Sequence, residues 1–307
     1  MPVTWRKTAI ADLGQALLIR RVHRGEALVG PDAALQVWKS LVSASSFVSA
    51  VFESDPPIRG HKLVAFGASV MVSPAFMDDA TAHPRPGINS RLFAAIHSGQ
   101  PVALTRDQIA VANAGNGVDI VTLQASWKEE ILDPLESASL QTALASAFVA
   151  LHAGYRVRRL AWESSCPAEL RFSQLSGAAK TIAEFSGGHA LHFVDHPSAA
   201  AEVASLPSVV FQYREPVLRL READQQLLVA ALSGATDEEL GAELGLTVFA
   251  VKARWRSAFS RIAGVKPGLV EDVNGLGGRG GQKRHRVVAY LREHPEELRP
   301  YAWKRRS

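Results

Sequence analysis

Cysteine is almost missing from this sequence, since Cys166 is the only one among 307 residues. A single cysteine cannot form an intramolecular disulfide, and it argues against a cysteine-based zinc site. Low cysteine usage without a disulfide framework is typical of a reducing compartment. We therefore expect a cytoplasmic protein.

Long apolar runs are missing as well. The opening residues, MPVTWRKTAIADLG, carry charges and no continuous apolar stretch, so we expect no signal peptide. No run of about 18 apolar residues occurs, which predicts no transmembrane helix and no membrane partner. With 47% hydrophobic and 21% charged residues the chain has the composition of a folded protein, and its length favours two domains.

Motifs for metal or nucleophilic chemistry are also lacking. The ten histidines are scattered and form no HExxH pattern, so the sequence predicts no metal site. Ser164-Ser165-Cys166 has no G-x-S-x-G around it, which favours a buried structural role. Asp78 and Asp79 could act as an acid–base pair, but adjacent acids usually point in different directions. We predict no catalytic residue and no cofactor, and leave cofactor-binding residues unassigned.

Residues 1–215 predict a mixed domain of class α/β or α+β. Apolar residues at helical spacing predict helices over residues 9–18, 33–52, 89–97 and 140–152. Runs rich in β-branched residues predict strands over residues 63–72, 117–123, 155–162 and 208–213. A strand, a helix, Gly154 and another strand follow one another, as in a βαβ unit. We expect this domain to bind a small-molecule effector or to mediate dimerisation.

Positive charge is concentrated at the C-terminal end. Residues 216–307 contain 16 Lys+Arg and 11 Asp+Glu, whereas residues 1–215 contain 18 and 19. Residues 216–265 contain six of each, so the surplus lies in 266–307. We predict that 266–307 is a flexible, glycine-rich basic extension with a short helix over 282–290. A basic end indicates either a polyanionic partner or a solvated tail.

Residues 216–265 predict an all-α domain of three short helices joined by tight turns. The first helix covers 222–232 and stops at Gly234. The second begins with a capping box formed by Thr236 and Glu239, and it ends at Gly245. Thr247 caps the third helix, whose apolar stripe is Val248, Val251, Trp255, Ala258 and Ile262. Two helices joined by a short glycine turn form a helix-turn-helix.

The charges of these helices differ in sign. The second helix has four acids and no base, whereas the third has four bases and no acid. Only the third can lie among phosphates without repulsion, so it is the predicted recognition helix. The predicted DNA-binding residues are Thr247, Lys252, Ala253, Arg254, Arg256, Ser257 and Arg261. A helical bundle with a solvated basic face remains the alternative.

The order Thr236, Glu239, Leu244-Gly245-Leu246-Thr247 and Val251-Lys252 resembles the LuxR-type helix-turn-helix, over about residues 220–264. This resemblance implies a homodimer on double-stranded DNA, with Lys252, Ala253 and Arg256 facing bases and Arg254, Ser257 and Arg261 near phosphates. Trp255 is bulkier than the family's aliphatic residue, so it needs a roomier core or a partner from the residues that follow. The main hypothesis is a bacterial-type transcription regulator that is not an enzyme.

A second resemblance concerns the N-terminal domain. The segments GVDIVTL and LQTALASAFVALHAGYRVRRLAW look like the second half of a GNAT-type acyltransferase fold, and Trp5-Arg6 with Asp12-Leu13 looks like its beginning. The family's pyrophosphate loop needs glycines after the central strand, whereas residues 124–134 contain three acids and no glycine. The alternative hypothesis is an acyltransferase with a DNA-targeting C-terminal module. A third is a nucleoid-style DNA binder that holds DNA through its basic tail.

Overall fold

The structure is a computed structural model that describes residues 3–19, 28–164, 179–197, 206–271 and 280–303. It divides into two compact units. Unit 1 comprises Met1–His152 and Arg156–Gln212, and unit 2 comprises Ala153–Tyr155 and Tyr213–Ser307. Within the described ranges, no helix is long and apolar enough to cross a membrane.

A seven-stranded sheet is the centre of unit 1. Its strands lie in the order β1-β2-β3-β4-β5-β7-β6. β4 and β5 are parallel, and every other neighbouring pair is antiparallel. The strands are β1 (Val3–Lys7), β2 (Phe47–Ile58), β3 (His61–Val72), β4 (Val118–Trp127), β5 (Val157–Ser164), β6 (Lys180–Phe185) and β7 (His189–Asp195). The predicted mixed α/β class is confirmed.

Seven α-helices of unit 1 accompany the sheet in the described residues. They are α1 (Leu13–Ala16), α2 (Pro31–Val42), α3 (Pro74–Ala82), α4 (Ile88–His97), α5 (Arg106–Ala114), α6 (Pro134–His152) and α7 (Leu206–Val210). The predicted strand, helix, glycine and strand correspond to β4, α6, Gly154 and β5. Because α6 carries the chain back to the start of β5, the two strands run parallel.

Both faces of the sheet are covered by apolar side chains. On one face Trp38 of α2 makes edge contacts with Phe66 of β3 and Phe93 of α4, with ring centroids 5.7 and 5.1 Å apart. On the other face, α6 buries Leu140, Leu144 and Ala147 against strand residues that include Phe52 and Ala65. The small residues of α6 allow the helix to lie close to the sheet. The sheet is thus a layer between two helical layers.

Two predicted elements of unit 1 differ from the structure. The helix expected over residues 33–52 ends at Val42, and β2 begins at Phe47. A turn separates them, in which the Ala44 amide donates to the Leu41 carbonyl. The strand expected over residues 208–213 is wrong, because Leu206–Val210 forms α7. Val210 is buried in the helix, so tertiary packing outweighs the β-propensity of its valines.

Unit 2 contains four α-helices within its described ranges. They are α8 (Glu222–Ala231), α9 (Asp237–Leu244), α10 (Val248–Val265) and α11 (Gly280–Glu293). The predicted caps are present, since Thr236 accepts from the Glu239 amide and Thr247 from the Ala250 amide. Gly245 ends α9 in the left-handed conformation that favours glycine (φ 65°).

The last part of the chain differs from the prediction of a flexible extension. Val287 and Leu291 of α11 are buried in the same core as Leu227 and Trp255. The guanidinium of Arg284 lies 4.7 Å from the centre of the Trp255 ring. Residues 280–303 are therefore an ordered part of unit 2, because α11 supplies apolar surface that α8–α10 need for their core. The glycine-rich residues 272–279 lie outside the described residues.

Candidate functional site

The sheet opens where β4 and β5 end. The two strands pair from Val118 with Val157 to Thr122 with Trp162, and the pairing stops there. Beyond this point β4 stays paired with β3 as far as Trp127, while the end of β5 stays paired with β7. The carboxyl ends of the two parallel strands therefore part. Ligands of open α/β sheets bind outside such carboxyl ends.

A bulge in β4 lies at the start of this opening. Ser69 pairs with Thr122 and Ala68 with Gln124, so Leu123 is an extra residue on β4. A bulge bends the strand and leaves its extra residue outside the regular ladder. The Leu123 carbonyl instead accepts a hydrogen bond from Asn89 Nδ2 of α4 at 2.8 Å. The side chain of Asn89 thus holds the bulge from the helical layer.

The N-terminus of α4 lies against the end of β5. The backbone amide of Gly87 donates to Glu163 Oε2 at 2.9 Å, and that of Ile88 donates to the same oxygen at 2.9 Å. Gly87 has φ 79°, which glycine adopts without strain. The positive end of the helix dipole also favours a carboxylate here. Glu163 is therefore anchored with one side toward α4.

A histidine lies beside this carboxylate. His189 begins β7, and its Nδ1 is 3.5 Å from Glu163 Oε1. Their side chains are 15% and 8% exposed, so the imidazole keeps some access to solvent while the carboxylate is buried. A carboxylate beside a histidine nitrogen orients the ring. The pair can accept and return a proton.

Several polar atoms near the opening have no partner among the described residues. They are Gln124 Nε2, Asn89 Oδ1 and Arg91 Nε. Gln124 is only 5% exposed, and its pairing with Ala68 places it on the sheet face that carries α2 and α4. Burial lowers the pKa of Arg91. Buried polar atoms usually find a partner, so these are available to a ligand or to water. We call Asn89, Arg91, Gln124, Glu163 and His189 the strand-end cluster.

Two other histidines make buried contacts. Ser164 Oγ is 2.8 Å from His192 Nε2, and Thr181 Oγ1 is 3.2 Å from its Nδ1. On α6, His152 Nδ1 lies 2.7 Å from the Phe148 carbonyl, so it donates there and its Nε2 accepts from Ser69. These rings are at most 2% exposed. They resemble serine–histidine pairs, but burial keeps substrates away from them, which favours a structural role.

Asp78 and Asp79, considered from the sequence as an acid–base pair, contact different arginines. Asp78 binds Arg159 at 2.6 Å, while Asp79 binds Arg85 at 2.9 Å. The two carboxylates thus serve separate ion pairs. In the part of the chain that the structure describes, no three His, Cys, Asp or Glu residues are grouped as a metal site would require. Ser165 and Cys166 lie outside that part.

The segment between β4 and α6 does not fit a nucleotide pyrophosphate. The Glu136 amide donates to Asp133 Oδ1 at 2.8 Å, and the Asp133 amide donates to Glu136 Oε2 at 3.0 Å. Pro134, the first residue of α6, has no amide hydrogen. The helix end thus holds its own carboxylates where a phosphate would need free amides. The absence of glycine predicted this misfit for coenzyme A.

The predicted DNA-binding residues lie on α10 or at its start. Lys252, Arg256 and Ser257 are exposed, and Ala253 and Arg254 are half-buried. Thr247 caps the helix. Arg261 instead makes an ion pair with the buried Asp224 of α8 at 3.1 Å. No observation tests whether these residues contact DNA, so that assignment stays a prediction.

Comparison with known proteins identifies no sequence family. No family model and no curated protein sequence matches the chain. Among solved structures, the loading GNATL domain of CurA from Lyngbya majuscula matches at 14% identity and a TM-score of 0.39, covering 64% of this chain and 98% of that one. FeeM, an N-acyl amino acid synthase from uncultured soil microbes, matches at 12% and 0.35, covering 66% and 96%. A mosquito arylalkylamine N-acetyltransferase-like protein matches at 10% and 0.37, covering 62% and 99%.

These neighbours correct the main hypothesis. Their names describe a GNATL domain, an N-acyl amino acid synthase and an N-acetyltransferase-like protein, and the mixed seven-stranded sheet of unit 1 is the coarser part of the GNAT-like prediction that the structure shows. The predictions of a DNA-binding transcription regulator and of a protein without enzymatic activity are contradicted, since the neighbours are acyltransferases. At these identities the likeness concerns the fold alone. Any activity must be argued from the strand-end cluster itself.

Sequence reasoning missed the strand-end cluster. Glu163 and His189 lie on different strands, well separated along the chain, and they meet only because β7 pairs with β5 in one particular register. One local pattern indicated the position of Asn89, since this residue follows a turn that ends in Gly87 and so lies at the start of a helix. No local pattern indicated Gln124. Its position depends on the bulge at Leu123, and a run of apolar residues does not reveal a bulge.

Proposed function

We propose that unit 1 is an acyltransferase domain that transfers an acyl group from a thioester to an amine at the strand-end cluster. The observation that carries the proposal is the parting of β4 and β5 beside the Glu163–His189 pair. The opening combines a gap between two strands at a bulge, a proton acceptor and an unpaired N–H donor on one side of the sheet. Acyl transfer to nitrogen needs these three features.

In the proposed reaction the amine nitrogen attacks the thioester carbonyl carbon. A C–N bond forms and the C–S bond breaks, giving an amide and a thiol. His189 accepts the proton that the nitrogen loses and returns it to the departing sulfur. Glu163, anchored by the Gly87 and Ile88 amides, orients the ring and stabilises its positive form. Gln124 offers its unpaired N–H to the charge that develops on the carbonyl oxygen.

The test is release of free thiol from a panel of acyl thioesters in the presence of small amines. We expect His189→Ala to lower kcat/KM by about 10²–10⁴-fold, the usual contribution of a general base. His97→Ala is the matched control, because His97 is exposed at the end of α4. Unchanged activity in the His189 variant, or no thiol release from any donor with the parent protein, would contradict the proposal.

We also propose that α9 and α10 form a helix-turn-helix through which unit 2 brings the acyltransferase to DNA. The support is the separation of charge, since α10 carries only basic charged residues and α9 only acidic ones. Lys252→Ala or Arg256→Ala should each weaken DNA binding by about 1–3 kcal/mol in a gel-shift titration. Lys39→Ala, an exposed lysine of unit 1, is the control. Equal affinities for all four proteins would exclude α10 as the DNA contact. The homodimer and the effector stay predictions.

A further inference from the structure

We infer that the acyl donor is a thioester whose arm carries no nucleotide pyrophosphate, so that acyl-coenzyme A has no advantage over a simple pantetheine thioester. This inference rests on the proposed function and names its donor class. The observations lie in residues 128–136, which follow β4 directly and join it to α6. The segment thus begins at the carboxyl end of β4, one of the two strands that bound the opening.

The charges of the segment repel a phosphate. Its acids are Glu129, Glu130, Asp133 and Glu136, and its one base is Lys128. Lys128 Nζ lies 2.8 Å from His61 Nδ1, so the ammonium donates to that ring. Arg59 also approaches, and its guanidinium donates to the Glu130 carbonyl at 3.3 Å. Two bases thus face four acids, and both already have acceptors. A pyrophosphate would add further negative charge to this excess.

The backbone of the segment offers few donors. Asp133 and Glu136 occupy each other's amides, and the Ser137 amide donates to the Asp133 carbonyl at 2.9 Å. Pro134 contributes no amide hydrogen. Phosphate-binding helix ends have several free N–H groups and favour negative ligands through the helix dipole. Here the carboxylates of Asp133 and Glu136 accept the amide hydrogen bonds that a phosphate would otherwise accept. The negative charge of these two carboxylates and the amides that they occupy both disfavour a phosphate at this helix end.

The acidic segment disfavours only the pyrophosphate, so the acyl and thioester parts of the donor are unaffected. The proposed reaction places them at the bulge of Leu123 and its neighbour Gln124, which precede the acids of the segment along the chain. The thioester carbonyl needs only a hydrogen-bond donor there. Removing the nucleotide from the donor therefore removes repulsion without removing contacts that the protein makes.

The experiment compares donors with the full chain. S-acetyl-pantetheine and acetyl-coenzyme A are assayed with the same amine, and free coenzyme A is titrated separately by calorimetry. We expect KM values within about threefold of each other and no binding of coenzyme A below about 1 mM. A KM at least about tenfold lower for acetyl-coenzyme A, or micromolar binding of coenzyme A, would overturn the inference.

A pair of variants tests the cause. Asp133→Ser with Glu136→Gln keeps a side-chain cap and removes two negative charges. It should tighten coenzyme A binding by about tenfold or more, whereas Asp32→Asn with Asp107→Asn makes the same charge change at two exposed positions elsewhere in unit 1 and should not. If neither donor is used, the proposed function fails. The calorimetric titration still decides whether the segment accepts the nucleotide.

Discussion

Glu163 receives two backbone amides from α4 on one side and faces His189 on the other. This arrangement fixes a negative charge next to an imidazole that is partly accessible. His192, by contrast, is enclosed by Ser164 and Thr181 and stacks on Trp162 with ring centroids 5.4 Å apart. Two histidines of one strand thus have opposite surroundings, because neighbouring residues of a strand alternate between the faces of the sheet.

The buried His192 leads to a prediction about how the free energy of unfolding depends on pH. Burial lowers the pKa of His192 below its ordinary value of 6.5. The unfolded chain therefore binds a proton more readily than the folded one, and this group's stabilisation is present above pH 6.5 and lost as the pH falls. We expect the free energy of unfolding, measured with urea between pH 7 and 5, to fall more steeply for the parent than for His192→Gln. The extra slope is at most about 1.4 kcal/mol per pH unit. A shallower slope for the parent would refute this assignment.

Arg261 shows how a single contact changes an interpretation. From the sequence it lies where a phosphate contact is expected, on a helix without acids. In the structure it pairs with Asp224 of the neighbouring helix, whose side chain is 4% exposed. A buried carboxylate requires a partner, so this arginine contributes to the core of unit 2. No local pattern reveals a pairing across two helices.

At the scale of elements, α11 is the part of unit 2 whose role differs most from expectation. Its basic composition predicts a short helix on a solvated tail. Its buried positions, Val287 and Leu291, instead lie four residues apart on one face and complete the core. Arg284 adds a hydrogen bond of 2.6 Å to the Ala235 carbonyl, in the turn before α9.

The packing of α11 leads to a prediction about the stability of unit 2. Leu291→Ala should destabilise unit 2 by about 2–5 kcal/mol, because a fully buried leucine leaves a cavity when it is shortened. Val265→Ala, at an exposed valine that ends α10, should cost much less. Urea denaturation followed by tryptophan fluorescence measures the change, since Trp255 lies in the core of unit 2. Equal effects of the two substitutions would indicate that α11 is not part of the core.

At the scale of the whole molecule, the chain combines two units with different charge. The surplus of positive charge lies after residue 265, and residues 1–215 are nearly neutral. The helix-turn-helix pattern favoured the hypothesis of gene regulation, although it covers only residues 220–264 of the chain. Unit 1 contains most of the chain and the seven-stranded sheet. The residues of the strand-end cluster are distributed over four elements, and for that reason they form no compact sequence motif.

Local interactions within a few residues determined what the sequence could predict by itself. The capping box at Thr236 and the left-handed turn at Gly245 depend on neighbours three to four residues away, so α8 to α10 were predicted with nearly correct bounds. The glycine-free, acidic segment after β4 was equally visible. Both features are encoded by adjacent side chains and need no long-range contact.

Only the tertiary structure decided where β4 and β5 part and which polar groups meet there. That opening depends on strand register, on the bulge at Leu123 and on the docking of α4, all of which join residues far apart in the chain. Register is set by packing on both faces of the sheet, since a shift by one residue would turn every side chain to the other face. Glu163 and His189 become neighbours through this packing, and no pattern along the chain brings them together.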